Sequence, residues 1–237
     1  MTASPSPTST RRRALRWEHY VGALGLLTLV LGQYMGLFWS PPERMMGDVG
    51  RMLFTHVPAA WISLLAYTAA FFGALTYLFT SRRGADAFIV GCIEVGVLLN
   101  VLLLIEGSLF AKPTWGVWWT WDPRLTLSAV MLLTFVGVLT LRRAVSDPDT
   151  RASWTAIASI PAYMTIILTY YSVKWWKSLH QLQSSPETVD VSMTLVLRLN
   201  AVAYLLLAIW LIAERARVAY REAKAEMPPL PPVEKVT

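Results

Sequence analysis

The chain has 237 residues, of which 55% are hydrophobic and only 15% are charged, and its formal net charge is +6. Soluble domains carry about a quarter charged residues, so this composition excludes an ordinary soluble domain and predicts an integral membrane protein. The basic residues lie between apolar blocks and form no single stripe. They therefore argue against nucleic-acid binding and for a role in membrane topology.

Six apolar stretches follow one another along the chain, each about as long as a membrane-spanning helix. A helix rises about 1.5 Å per residue, so about 20 residues cross a hydrocarbon core about 30 Å thick. Backbone groups in lipid must find their hydrogen bonds inside the protein, and stretches of this length favour helices over barrel strands. The sequence predicts an all-α, polytopic membrane protein with six transmembrane helices, at residues 20–38, 57–79, 86–106, 125–141, 154–173 and 192–212.

The predicted organisation is a single membrane domain, residues 20–213, between a basic N-terminal tail, residues 1–19, and a C-terminal tail, residues 214–237. Fourteen of the 21 lysines and arginines lie in the two tails and in the second and fourth connections. Because basic segments stay in the cytoplasm, both termini are predicted to be cytoplasmic. The outer side then receives three longer connections that hold the unusual residues, at 39–56, 107–124 and 174–191.

One outer connection is rich in tryptophan: Trp115, Trp118, Trp119 and Trp121 lie within seven positions. Tryptophan often marks the membrane interface, but such belts are usually scattered single residues. Four indoles together form a broad apolar platform with N–H donors at its rim, which favours a large flat ligand such as a porphyrin. Asp122 closes the run and is predicted to accept hydrogen bonds that fix the shape of this platform. An interfacial belt remains the alternative.

The segment WGVWWTWDPRLT, residues 115–126, resembles the WWD motif of the haem-handling proteins of cytochrome c biogenesis. With six predicted spans, the chain resembles the CcmC family, haem exporter protein C of the cytochrome c maturation system. Pro123 departs from the small residue expected beside the aspartate. The resemblance implies transient, non-covalent binding of haem b at the outer face of the bacterial inner membrane. It also implies delivery of haem to the chaperone CcmE, and association with CcmA, CcmB and CcmD.

Three histidines are present. His19 lies at the cytoplasmic end of the first predicted helix and is interpreted as a solvated interface residue. His56 and His180 lie in the two outer connections that flank the tryptophan segment. Neutral imidazole is a common axial ligand of haem iron, and two imidazoles would saturate it. The residues alone leave joint ligation open; the resemblance implies it, because CcmC-like proteins use one histidine from each flanking loop.

Several outer residues have two interpretations. Basic side chains on this side, including Arg124 of the WWD segment, either meet haem propionates, for which the arginine fork is well suited, or snorkel to the interface. Trp175 and Trp176 either extend the platform or anchor the fifth helix. The other outer cations considered are Arg51, Lys112, Lys174 and Lys177.

Absent motifs narrow the function further. Cys92 is the only cysteine, so a CxxCH attachment motif is excluded and bound haem would have no thioether bonds. No P-loop is present, so we do not expect this chain to hydrolyse ATP itself. Two alternatives stay open. One is a cytochrome c synthase of the CcsA or CcmF kind, although those are longer and have more histidines. The other is a b-type cytochrome subunit, which would need histidine pairs within its helices.

Overall fold

Six long helices make up most of the computed structural model, which describes residues 16–44, 46–180 and 190–226. A π-helical segment, Met35–Trp39, continues the first helix, and a 3-10 helix, Asp48–Met52, leads into the second. Within these ranges there is no β-strand, so the predicted all-α class is confirmed. The helices are α1 (Trp17–Tyr34), α2 (Leu53–Thr80), α3 (Arg83–Trp115), α4 (Pro123–Ala144), α5 (Pro148–Trp175) and α6 (Val191–Ala225).

All six helices are long and apolar enough to cross a membrane, which confirms the predicted multi-pass architecture. They run beyond the predicted apolar stretches, and the largest difference is at the end of α3. The prediction ended this helix at residue 106, whereas it continues to Trp115. It ends because Gly116 has a φ of 80°, which is easily reached only by glycine. Half of the predicted tryptophan connection is therefore helical. Parts of the predicted tails and residues 181–189 of the last outer connection lie outside the described residues.

Three helices begin at an aspartate whose side chain accepts a hydrogen bond from the backbone of the first turn. Asp122, Asp147 and Asp190 are these N-cap residues, for α4, α5 and α6. Each carboxylate satisfies one of the backbone N–H groups that have no partner inside the helix. Proline follows the first two aspartates, where its missing N–H costs nothing and its fixed φ suits a helix start.

Helices α2 and α3 form the antiparallel centre of the bundle, with α6 and α1 on one side and α4 and α5 on the other. Helices α2, α4 and α6 begin at one end of the bundle, and α3 and α5 finish there. We call this end the histidine end. In the core, the Tyr67 ring stacks on Phe135 with 3.8 Å between centroids. A side chain at Gly96 would strike the Tyr67 ring, so α3 approaches α2 closely there.

Helix α1 is attached to α6 through small residues. A Cβ at Gly22 or Gly25 would come within 3.1 Å of α6 atoms, so these glycines let the two helices approach closely. Small residues serve this purpose in membrane helices, where lipid gives no hydrophobic drive to association. One hydrogen bond also joins the two helices: Gln33 of α1 donates to the Asn200 side chain of α6 at 2.7 Å.

The opposite end of the bundle is joined by ion pairs. Arg142 of α4 donates two hydrogen bonds to Asp86 of α3, at 2.6 and 2.9 Å, and both side chains are largely buried. Glu94, an acidic residue within the apolar part of α3, pairs with Arg215 of α6. These pairs connect three helices at the end that lies away from His56.

Candidate functional site

A cavity of about 1100 Å³ lies at the histidine end, among α2, α3, α4, α5 and α6. This volume is slightly above the usual range for small-molecule and cofactor pockets, about 300–1,000 Å³. Most of its wall is apolar, with a few polar side chains between. Representative apolar lining residues are Phe54, Trp61, Leu103, Met131 and Leu197. The cavity can therefore take a large, mainly apolar ligand.

His56 reaches this cavity from the second turn of α2. Its ring lies over α3: a Cβ at Gly107 would come within 3.2 Å of the His56 Cε1 atom. The ring is also nearly parallel to that of Phe110, at 16° and 6.5 Å between centroids. Its Nδ1 atom is buried and has no hydrogen-bond partner among the residues that the structure describes. The position of this imidazole is therefore fixed by packing against α3 and not by a hydrogen bond to Nδ1.

His180 lines the same cavity from the segment that follows α5. Its ring meets Trp115 edge-on, with 5.4 Å between centroids, and Trp115 meets Phe110 in the same manner at 6.4 Å. Because Phe110 in turn contacts His56, an aromatic row connects the two imidazoles. Two histidines that are 124 positions apart in the sequence thus share one cavity wall.

Asp122 holds the His180 segment in place. Its Oδ1 accepts from the Arg124 backbone N–H at 2.9 Å and from the Ser178 hydroxyl at 3.0 Å, and its Oδ2 accepts from the Leu179 N–H at 2.7 Å. Ser178 also accepts from the His180 N–H at 3.1 Å. Burial alone would raise the pKa of Asp122, but these hydrogen bonds outweigh it and the pKa is lowered. The carboxylate is therefore ionised at neutral pH.

The electrostatic surroundings of His180 favour the neutral imidazole. Burial lowers the pKa of this histidine, Arg124 lowers it further, and Asp122 opposes both without cancelling them. Its Nδ1 lies 3.5 Å from Oδ1 of Asp122, which is longer than the range of about 2.7–3.2 Å for such a hydrogen bond. A neutral imidazole is the form that binds a metal.

The basic residues predicted at this end have different positions. Arg124 lines the cavity, and so does Arg44. Lys112 instead donates to the Gly116 carbonyl at 2.9 Å, and Lys174 lies 5.5 Å from the Tyr171 ring. Arg51 donates to the backbone carbonyls of Gly36 and Ser40, which joins the end of α1 to the start of α2. Arginine is thus the basic side chain that faces the cavity.

The four clustered tryptophans also separate into two groups. Trp115 lines the cavity, whereas Trp118, Trp119 and Trp121 are outside its lining. Trp118 is 56% and Trp121 is 82% exposed, while Trp119 meets Trp121 edge-on at 6.0 Å. The exposed members form an apolar surface beside the cavity.

Trp175 and Trp176, considered as extensions of the platform, are also outside the cavity lining. Trp175 stacks on Tyr171 at 5.2 Å, and both tryptophans are about half exposed. Their position at the end of α5 suits an interfacial anchor.

Sequence reasoning missed Gly107, Phe110, Arg44 and Ser178. A signal for the first two existed, because cavity-lining residues on α3 recur at the helical spacing of three and four. These residues are Leu103, Gly107, Phe110 and Thr114. The pattern was lost when the helix was ended at residue 106.

Comparison with known proteins agrees with this architecture. The family model of CcmC, Heme exporter protein C, matches residues 1–228. Proteins named Heme exporter protein C are similar along most of their length. The protein from Haemophilus influenzae is 30% identical over 209 residues, covering 86% of this chain and 85% of the relative. The protein from Rhodobacter capsulatus is 29% identical, covering 91% of each chain, and that from Escherichia coli K12 is 29% identical, covering 84% and 81%. The chain belongs to the Heme exporter protein C family.

Proposed function

We propose that this protein binds haem non-covalently in the cavity at the histidine end, with His56 and His180 as the axial ligands of the iron. It then passes the haem to an acceptor, the chaperone CcmE, during the maturation of c-type cytochromes. The observation that carries the proposal is that two histidines from separate segments line one cavity of about 1100 Å³. The names of the relatives, which state haem export, support the same ligand.

The chemistry of the cavity fits haem. Haem is a broad apolar disc with an iron at its centre and two carboxylates at its edge. Two imidazoles match the iron, because bis-histidine ligation saturates both axial positions. Arg124 and Arg44 in the same wall match the propionates, because charge-assisted bonds from arginine to carboxylates are strong. Among the described residues, the buried Nδ1 atoms of His56 and His180 have no hydrogen-bond partner, so neither ring is committed to a protein partner before a ligand binds.

The aromatic residues of this region have two proposed roles. Phe110 and Trp115 pack between the histidines and would bound the haem plane. The exposed indoles of Trp118 and Trp121 lie outside the cavity, where they would receive the acceptor. Binding and transfer are thereby assigned to different tryptophans of one short segment.

The membrane context follows from the charge distribution. The excess of basic residues in the tails and in the second and fourth connections supports cytoplasmic termini. The histidine end would then face the periplasm from the bacterial inner membrane, where c-type cytochromes acquire haem. CcmA, CcmB and CcmD are the proposed companions. Haem b is the proposed form, because the single cysteine cannot form a CxxCH motif.

The test is haem binding by histidine variants of the full-length protein in detergent. His56→Ala and His180→Ala should each lower haem content and change the absorption spectrum from a six-coordinate to a five-coordinate form. His19→Ala is the matched control, because His19 lies at the other end of the bundle. It should bind haem as the unmodified protein does. If both test variants keep the haem content and spectrum of the control, the two-histidine proposal is wrong.

Transfer requires a second measurement. The haem-loaded protein, mixed with purified CcmE in detergent, should lose haem absorbance as the acceptor gains it. Loading of the acceptor by a protein that lacks both histidines would contradict the assigned route.

A further inference from the structure

The two histidines differ in the groups that surround their Nδ1 atoms. The Nδ1 atom of His180 lies 3.5 Å from a carboxylate oxygen of Asp122. Within the described part of the chain, the Nδ1 atom of His56 is buried without a hydrogen-bond partner, and its ring rests on Gly107 and Phe110. Among these residues, a carboxylate therefore backs only one of the two proposed ligands.

The Asp122 carboxylate is fixed firmly enough to orient a neighbour. A carboxylate has about four acceptor positions. Among the described residues, the Arg124 N–H, the Ser178 hydroxyl and the Leu179 N–H occupy three. Arg124 and Ser178 both donate to Oδ1, so the remaining position is on Oδ2, whereas the present 3.5 Å contact of the His180 Nδ1 is to Oδ1. A small rotation of the imidazole or of the carboxylate that brings Nδ1 within hydrogen-bond distance of Oδ2 would form this bond.

We infer that Asp122 is a positioning residue that makes His180 the stronger of the two iron ligands. It accepts the Nδ1 hydrogen of His180, so that Nε2 is the nitrogen that binds iron. Histidine ligands commonly donate their second ring N–H to a carboxylate, which fixes the tautomer and increases the basicity of the ligand. This inference rests on the proposed function, since it concerns the same two ligands.

The difference in strength between the two ligands predicts the order in which they release the iron. His56 has packing alone to orient it, so it is the weaker ligand and the first to be displaced when an incoming group competes for iron. His180 remains bound to the iron until the incoming group has replaced His56. Asp122 thereby connects the tryptophan segment, which it ends, to the ligand that dissociates last.

The first experiment compares Asp122→Asn with Asp147→Asn in the full-length protein. Both aspartates cap a helix and asparagine is also a good N-cap, so the helix starts are preserved, and Asp147 lies at the end of the bundle away from the histidines. We expect Asp122→Asn to weaken haem binding by about ten- to a hundredfold, the usual cost of losing such a partner. It should also raise the iron midpoint potential, because a less basic ligand stabilises ferric iron less. Asp147→Asn should change both quantities much less.

The second experiment combines Asp122→Asn with the removal of each histidine. With His56→Gly, the effect of Asp122→Asn on haem affinity should persist, because His180 is still present. With His180→Gly, that effect should vanish. Equal effects in both backgrounds would overturn the inference, as would a midpoint potential that Asp122→Asn leaves unchanged. Such a double-mutant comparison isolates the coupling of one pair.

Two controls keep the outcome interpretable. If Asp122→Asn does not fold, Asp122→Ser replaces it, since serine is also a good N-cap for α4 and has no carboxylate. The midpoint potential must then rise, and an unchanged value overturns the inference. If the unmodified protein binds no haem, the proposed function fails and this inference with it. If it binds haem through both histidines but Asp122→Asn behaves as Asp147→Asn, only this inference fails.

Discussion

Asp122 accepts a hydrogen bond from the Leu179 backbone at 2.7 Å, across 57 positions of sequence. This contact joins the end of the tryptophan segment to the residue before His180. It explains why an aspartate ends the run of indoles: the same side chain starts α4 and holds a neighbouring segment against the cavity. The position of one proposed ligand thus depends on a residue two helices away in the sequence.

The contact between Gly107 and His56 can be tested by adding one methyl group. Gly107→Ala would place a Cβ 3.2 Å from the His56 ring and displace it, so haem retention should fall about tenfold. The free energy of unfolding should not fall, because alanine favours a helix over glycine by about 0.5–1 kcal/mol. Haem content and thermal unfolding measure the two effects. Gly137→Ala is the control, since no atom lies within 4 Å of its Cβ position; equal haem retention in both variants would contradict the prediction.

The two groups of tryptophans should respond differently to the same substitution. Trp115→Leu removes an aromatic contact of His180 and should lower haem affinity about two- to tenfold, from the value of about 0.5–1.5 kcal/mol for such pairs. Trp121→Leu, at an 82% exposed position, should leave haem content unchanged and slow transfer to CcmE. Absorption spectra give the content, and a timed transfer assay gives the rate. Loss of haem from the Trp121 variant would assign that indole to the binding site.

Arg124 is expected to recognise a carboxylate edge of the ligand. Arg124→Gln removes the cation from the cavity wall and should weaken haem binding about tenfold or more, since bonds to charged groups contribute about 1.5–3 kcal/mol. Lys112→Gln is the control, because Lys112 contacts the Gly116 carbonyl outside the cavity. Titration with haem and with its dimethyl ester separates the causes. The loss in the Arg124 variant should disappear for the ester, and a loss that persists would show that the arginine acts on something other than the propionates.

The ion pair at the opposite end should govern stability and leave the ligand site unaffected. Asp86→Ala strands a buried Arg142 and should cost about 3–5 kcal/mol in the free energy of unfolding. Adding Arg142→Met should recover much of this loss. Asp149→Ala, which breaks an exposed pair with Arg83, should cost less than about 1 kcal/mol. Denaturation in detergent measures all three, and similar losses for the two single variants would contradict the assigned difference in burial.

The helices could be predicted from the sequence because hydrophobic length is a local property. Six apolar stretches of about 20 residues can hardly be anything else in a membrane. The ends of the helices were harder to predict from the sequence, as α3 shows. This helix continues through Lys112 and Pro113, where hydropathy has already fallen, and ends only at Gly116. Hydropathy describes the part of a helix in lipid, whereas backbone conformation decides where the helix ends.

The candidate site was partly predictable for a related reason. His56 and His180 stood out as rare residues, and the inferred topology placed them on one side. The partner of Asp122 could not be found in this way, because the contact with Leu179 depends on how α4 and α5 pack. The division between Trp115 and Trp121 was equally hidden, since all four indoles look alike in composition and only three-dimensional packing separates them.

Helix α6 supplies one wall of the cavity, through Met193 and Leu197. Of the six described helices this one is synthesised last, after the lining residues of the other helices. The other five helices can enter the membrane and pack against one another, but the cavity lacks one wall until α6 packs against them. Closure of the cavity is therefore tied to the synthesis and insertion of α6, and a chain truncated before α6 would have a cavity that is open on that side.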